Sequence, residues 1–199
     1  MIESQREKLM NYPHKYLSIG ITSDGRPRGS GWVPWRSTAN AFNMRTPEVF
    51  LCPADLADEA LGAEPSRFHI NGCYIFCPLE DYSFLTRLPE LQDITIHQGG
   101  ALRDLGFLRP MEDWFQLHVE DAVLENLDDL FPDGLRKGIF SICVCLSGCT
   151  VRDHSALTQP DVRLSELVIL MPEGSNDRDR WTDVRCGKYS YFEYRVKEK

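Results

Sequence analysis

No stretch of this 199-residue chain is apolar for long enough to cross a bilayer. The longest candidate, GIFSICVCL at 138–146, falls far short of the ~20 residues a spanning helix requires. The opening MIESQREKLMN is charged and has no apolar stretch of the secretory type, so the expectation is a cytoplasmic protein with no membrane partner. LSGC at 146–149 has the letters of a lipoprotein cleavage box but sits deep in the chain with no signal ahead of it. Positive charge is in short supply: 22 Lys and Arg stand against 30 Asp and Glu, for a net charge of −8 and a pI near 5.1. That balance disfavours nucleic acid as a partner. Gly-x-Gly-x-x-Gly and Gly-Lys-Ser/Thr are both missing, so no phosphate-cradling loop is legible and no cofactor is expected. The seven cysteines include no C-x-x-C pair, which removes the zinc-ribbon and thioredoxin patterns. Carboxylates are scattered, without a spacing that argues for acid–base work, and the chain is not expected to be an enzyme.

What the chain does have is a rhythm. LPELQDITIHQGG at 88–100 spaces its apolar residues by three, three and two, and MEDWFQLHVEDA at 111–122 repeats those steps. An apolar pair one residue apart marks a short strand with two side chains facing one way. Such pairs occur at Val49/Leu51, Tyr74/Phe76, Ile94/Ile96, Leu117/Val119, Ile142/Val144, Leu167/Ile169 and Phe192/Tyr194. Their first members are separated by 25, 20, 23, 25, 25 and 25 residues. Leu91, Trp114, Ile139 and Leu164 each stand three residues before a pair, and leucines at helix-like spacing follow several of them, as at Leu102, Leu105 and Leu108. One short strand with one short return cannot cover its own apolar face, so units of this kind must stack.

Over roughly residues 45–199 the pattern resembles a leucine-rich repeat. The resemblance implies an α/β solenoid: a right-handed superhelix with a parallel sheet on the concave face and short helices and irregular turns on the convex face. About seven turns would span 46–199. The Asn or Cys that usually follows the strand in that family has no fixed place here, where the equivalent positions read Gly99, Ala122 and Ser147. Residues 1–45 do not follow the period. They are expected to form an N-terminal cap of a short helix and a hairpin, KYLSIGIT and SGWVPW reversing at Asp24-Gly25.

Residues flanking each apolar pair would face the concave side in three rows, with neighbours about 4.8 Å apart. The first row reads Glu48, Cys73, Asp93, Gln116, Ser141, Glu166, Tyr191. The middle row is Phe50, Ile75, Thr95, His118, Cys143, Val168, Glu193, and the last is Cys52, Cys77, His97, Glu120, Cys145, Leu170, Arg195. Apolar anchors among charged discriminators suit a protein partner. The expected function is therefore a protein–protein interaction module, adaptor- or inhibitor-like. Its binding face would comprise Phe50, Ile75, Asp93, Thr95, His97, Gln116, His118, Glu120, Glu166, Val168, Tyr191 and Glu193. The alternative is a thiol-dependent or metal-binding site along Cys77, His97, Glu120 and Cys145, since a thiol beside an imidazole beside a carboxylate can act as a nucleophile or hold zinc. Against it, a flat row of Cβ atoms does not converge on a point, and cysteine is commonly buried as a small apolar residue. DGRPRGSGWVPWR at 24–36 mixes Arg26, Arg28 and Arg36 with Trp32 and Trp35, and is better accounted for by turn arginines and cap tryptophans than by base stacking.

Overall fold

The structure, a computed structural model, describes residues 17–27, 47–57, 70–88, 90–110, 116–130, 143–158, 166–171 and 191–196, the last two segments by backbone alone. Among the described residues there are ten strands: β1 (Leu17–Ile21), β2 (Val49–Leu51), β3 (Ile70–Ile75), β4 (Asp93–Ile96), β5 (Gln116–Glu120), β6 (Val123–Leu124), β7 (Cys143–Ser147), β8 (Thr150–Val151), β9 (Glu166–Met171) and β10 (Tyr191–Val196). Eight of them form one sheet, in the order β10-β9-β7-β5-β4-β3-β1-β2, and every neighbouring pair is parallel. Helix is sparse. Among the described residues it consists of short 3-10 turns, where the sequence suggested short helices. A parallel sheet with few helices is compatible with the α/β class.

Register follows the apolar pairs over much of the sheet. Ile94 aligns with Leu117 and Ile96 with Val119, and all four are buried. Leu167 aligns with Phe192 and Ile169 with Tyr194. Two strands depart from expectation. In β3 the residues aligned with Ile94 and Ile96 are Cys73 and Ile75, one step earlier than Tyr74 and Phe76. Cys73, Ile75 and Cys77 join the main hydrophobic core, while Tyr74 and Phe76 pack with Phe50 in a separate cluster on the opposite face. Every residue from Cys73 to Phe76 is apolar, so alternation could not choose between the faces, and a one-residue slip reverses them all. In β7 the residues aligned with Leu117 and Val119 are Val144 and Leu146, two steps later than expected. A slide of two preserves the face and changes only the neighbours.

The N-terminal segment also differs. β1 lies within the sheet, flanked in parallel by β2 and β3 over the same residues, Ile19–Ile21. SGWVPW, expected as its antiparallel hairpin partner, lies outside the described residues together with Trp32 and Trp35. Gly20 makes the arrangement possible, because a Cβ on it would come within 2.7 Å of the Phe50 ring.

The chain turns sharply after β4, β5 and β7. Gln98, Asp121 and Gly148, at equivalent register positions, have φ of 57°, 54° and 64°. Backbone bonds tie these corners across rungs: Gly99 N–H donates to Glu120 O at 2.7 Å, Asp121 N–H to Ser147 O at 2.9 Å and Thr150 N–H to Ala122 O at 2.9 Å. Beyond the corner, β6 and β8 pair in parallel.

A second repeat follows, with the form Asp/Asn-x-x-x-Leu. An Asp or Asn side chain accepts the amide of the residue two positions on, and a 3-10 turn begins there. The acceptor–donor pairs are Asp81–Ser83 at 2.8 Å, Asp104–Gly106 at 2.9 Å, Asn126–Asp128 at 3.1 Å and Asp153–Ser155 at 2.8 Å. The leucine four residues after each acceptor, Leu85, Leu108, Leu130 and Leu157, has no exposed surface and donates its N–H to the carbonyl three back. Satisfying the turn's amide locally lets the leucine be buried without orphaning a backbone donor.

Candidate functional site

The most chemically distinctive cluster lies on the sheet face opposite the main core, where β3, β4 and β5 place Phe76, His97, His118 and Glu120. Parallel pairing of Thr95 with His118 and of Ile96 with Val119 brings the ends of β4 and β5 level. His97 Nδ1 is 2.6 Å from Glu120 Oε2, and His118 Nε2 is 3.4 Å from Glu120 Oε1. At 2.6 Å the two groups share a hydrogen bond, in which Nδ1–H is the donor when Glu120 is ionised. His97 stacks on Phe76 at a centroid distance of 5.3 Å and meets His118 edge-on at 6.0 Å. His97 Nε2 is buried and has no hydrogen-bond partner among the described residues. The Glu120 carboxylate thus orients the His97 imidazole and lies beside that of His118, and the Phe76 ring fixes the plane of the first.

A second polar pair lies toward the other end of the same strands, where the Tyr74 hydroxyl donates to Asp93 Oδ2 at 2.6 Å. At the sheet's edge, Glu48 Oε2 accepts the Ser18 amide at 2.8 Å, and Asp55 Oδ2 accepts both the Cys52 amide at 2.9 Å and its thiol at 3.1 Å.

The row Cys77–His97–Glu120–Cys145 is only half assembled. His97 and Glu120 meet as expected. Cys77 lies in the main core, because the β3 slip exchanges it for Phe76 as the neighbour of His97. Cys145 aligns with His118 rather than Glu120, whose own neighbour is Ser147. Among the described residues no group of three or more His, Cys, Asp or Glu is arranged to hold a metal ion. Burial pushes the Cys73 thiol well above its ordinary range, with the Asp93 charge adding to it, and pushes Cys149 up to about 11. Neither is a ready thiolate.

Of the expected binding residues, Ile75 belongs to the core. Thr95 and His118 are only 1% and 5% exposed, and Phe50 is also buried. The half-exposed members are Asp93, Gln116, His97 and Glu120. The middle of the face is therefore closed, and its two margins are open. This is the usual condition of parallel sheets, which are covered on both sides. Glu166, Val168, Tyr191 and Glu193 are placed by register only, on β9 and β10. The sequence did not place Phe76 and Tyr74 on this face, because Cys73 to Phe76 is apolar throughout and carries no signal of which side chains turn which way.

No family model matches the chain, and neither a curated protein nor a solved structure is significantly similar to it. No helix among the described residues is long and apolar enough to cross a membrane.

Proposed function

We propose that the chain is a solenoid of the leucine-rich-repeat type and works as a protein–protein interaction module, adaptor- or inhibitor-like. Support for the solenoid comes from rungs that share one direction, one corner geometry and one buried leucine. Cys149 adds to it: its thiol donates to Val119 O of the preceding rung at 3.3 Å and also approaches Ser147 O at 3.6 Å. A side chain that satisfies the turn's backbone is the role the family gives to its Asn or Cys.

The observation that carries the binding reading is the pair of half-exposed polar margins on one sheet face, Asp93 and Gln116 at one end and His97 and Glu120 at the other. Polar groups fixed on rigid strands around a closed apolar centre give a partner register and charge discrimination at little ordering cost. A photo-crosslinking residue at Gln116 tests this in cells, with the same residue at Arg152, far along the chain on an exposed turn, as control. A discrete protein adduct from position 116 and none from 152 is expected. Equal labelling from both, or none from either, removes the reading.

A further inference from the structure

The two edges of the eight-stranded sheet are built differently. β2, at one edge, has three residues and is flanked by Pro47 and Pro53. The Cys52 amide just beyond it is taken by the Asp55 carboxylate at 2.9 Å. Short length, flanking prolines and a side chain on a free amide are the devices by which sheets avoid edge-to-edge pairing. β10, at the other edge, has six residues, YFEYRV, with no Pro or Gly and with aromatic and branched residues at most positions. It pairs with β9 along its whole length, and among the described residues no strand pairs with its outer side.

An edge of this length, unpaired among the described residues, presents a row of backbone donors and acceptors to a strand of matching pattern. The residue order of β10 specifies one. In a two-fold pairing of two β10 strands the strands run antiparallel. With Tyr194 at the centre, Glu193 of one copy falls opposite Arg195 of the other, and the pair occurs twice. The same register sets Phe192 opposite Val196 on both sides of the axis, an aromatic and β-branched combination favoured across strands. Moving the centre by one residue either way sets like charges against each other at the axis, Glu193 on Glu193 or Arg195 on Arg195, which favours the register about Tyr194. We infer that β10 is a self-association edge, and that two copies of the chain join there antiparallel about Tyr194 to continue one sheet across the dimer.

The test measures mass by light scattering across a concentration series for the full chain and for Glu193→Arg, Arg195→Glu and the double exchange. The wild type should approach twice its 22.8 kDa at high concentration. Each single reversal replaces two attractive cross-strand pairs with two repulsive ones and should weaken the dimer by about tenfold or more. The double exchange restores opposite charges at both places and should recover dimerisation. That recovery also separates a lost interface from a misfolded variant. A wild type that stays monomeric at every concentration overturns the inference. So does a dimer that both single reversals leave intact, or one that the double exchange fails to restore.

Discussion

At the scale of single residues, the sheet depends on side chains that are small where another must lie flat. Gly20 is the sharpest case, since Phe50 occupies the space a Cβ would take. Gly20→Ala must displace Phe50 or the β1 backbone, and overpacking of this kind costs about 1–3 kcal/mol. A urea midpoint unchanged from wild type would show that the Phe50 ring moves freely and that the close approach is incidental. The cysteines offer a second check. Cys73, Cys77, Cys143, Cys145 and Cys149 are buried, and Cys52 is the most accessible of the described thiols. Only the thiolate reacts quickly, and burial pushes Cys149 up to about 11. Brief alkylation of the native protein at pH 8 should therefore mark Cys52 first among these six and reach Cys149 only on unfolding. Rapid native labelling of Cys149 would mean that the corner after β7 opens readily.

At the scale of elements, the stacked 3-10 turns each rest on one carboxylate or amide and one leucine. Asp104→Ala or Asp153→Ala removes the acceptor that starts the turn and should cost about 0.5–2 kcal/mol, the range for lost caps. Leu108→Ala or Leu157→Ala leaves a hole in the core and should cost about 2–5 kcal/mol. Asp81 adds a pH dependence of known sign. The Ser83 hydroxyl and then its amide hold the Asp81 carboxyl below the usual carboxylate range. Because its folded value is depressed, its contribution is complete above the ordinary range and disappears as pH falls through the lowered value. The stability gap between wild type and Asp81→Ala should thus be full at neutral pH and narrow in acid. A gap constant down to pH 2 would show that the charge plays no part. The same elements show what the sequence discloses. Strand positions and the Ile94, Ile96, Leu117 and Val119 face were legible because each apolar pair has polar neighbours. β3 was not, because Cys73-Tyr74-Ile75-Phe76 is apolar on both faces. The Asp/Asn-x-x-x-Leu turns were visible only as spaced leucines, since nothing in a lone Asp announces which amide it will accept.

At the scale of the whole molecule, the register of β3 decides which site exists. The expected thiol row needed Cys77 beside His97, and one residue of slip put Phe76 there instead, converting a would-be nucleophile into a ring that fixes an imidazole. No local rule sets that register; it comes from pairing with β1 and β4 on either side. How far such dependence extends is measurable. From β3 to β10 the strands of the main sheet follow one another in chain order, each paired with the next, and the turns link likewise, as where Arg109 meets Asp129 at 2.6 Å. In a linear stack, stability passes between neighbours and decays with distance, whereas an integrated domain loses it everywhere at once. Leu108→Ala, placed between β4 and β5 in the chain, discriminates the two. In a stack, amide protection should fall most in β4 and β5, less in β7, and least in β2 and β9. An equal fall in every strand would mean that the parallel sheet unfolds as a single unit and that the repetition is one of form without independence. The solenoid reading would then fail even though the strands from β3 to β10 pair in chain order.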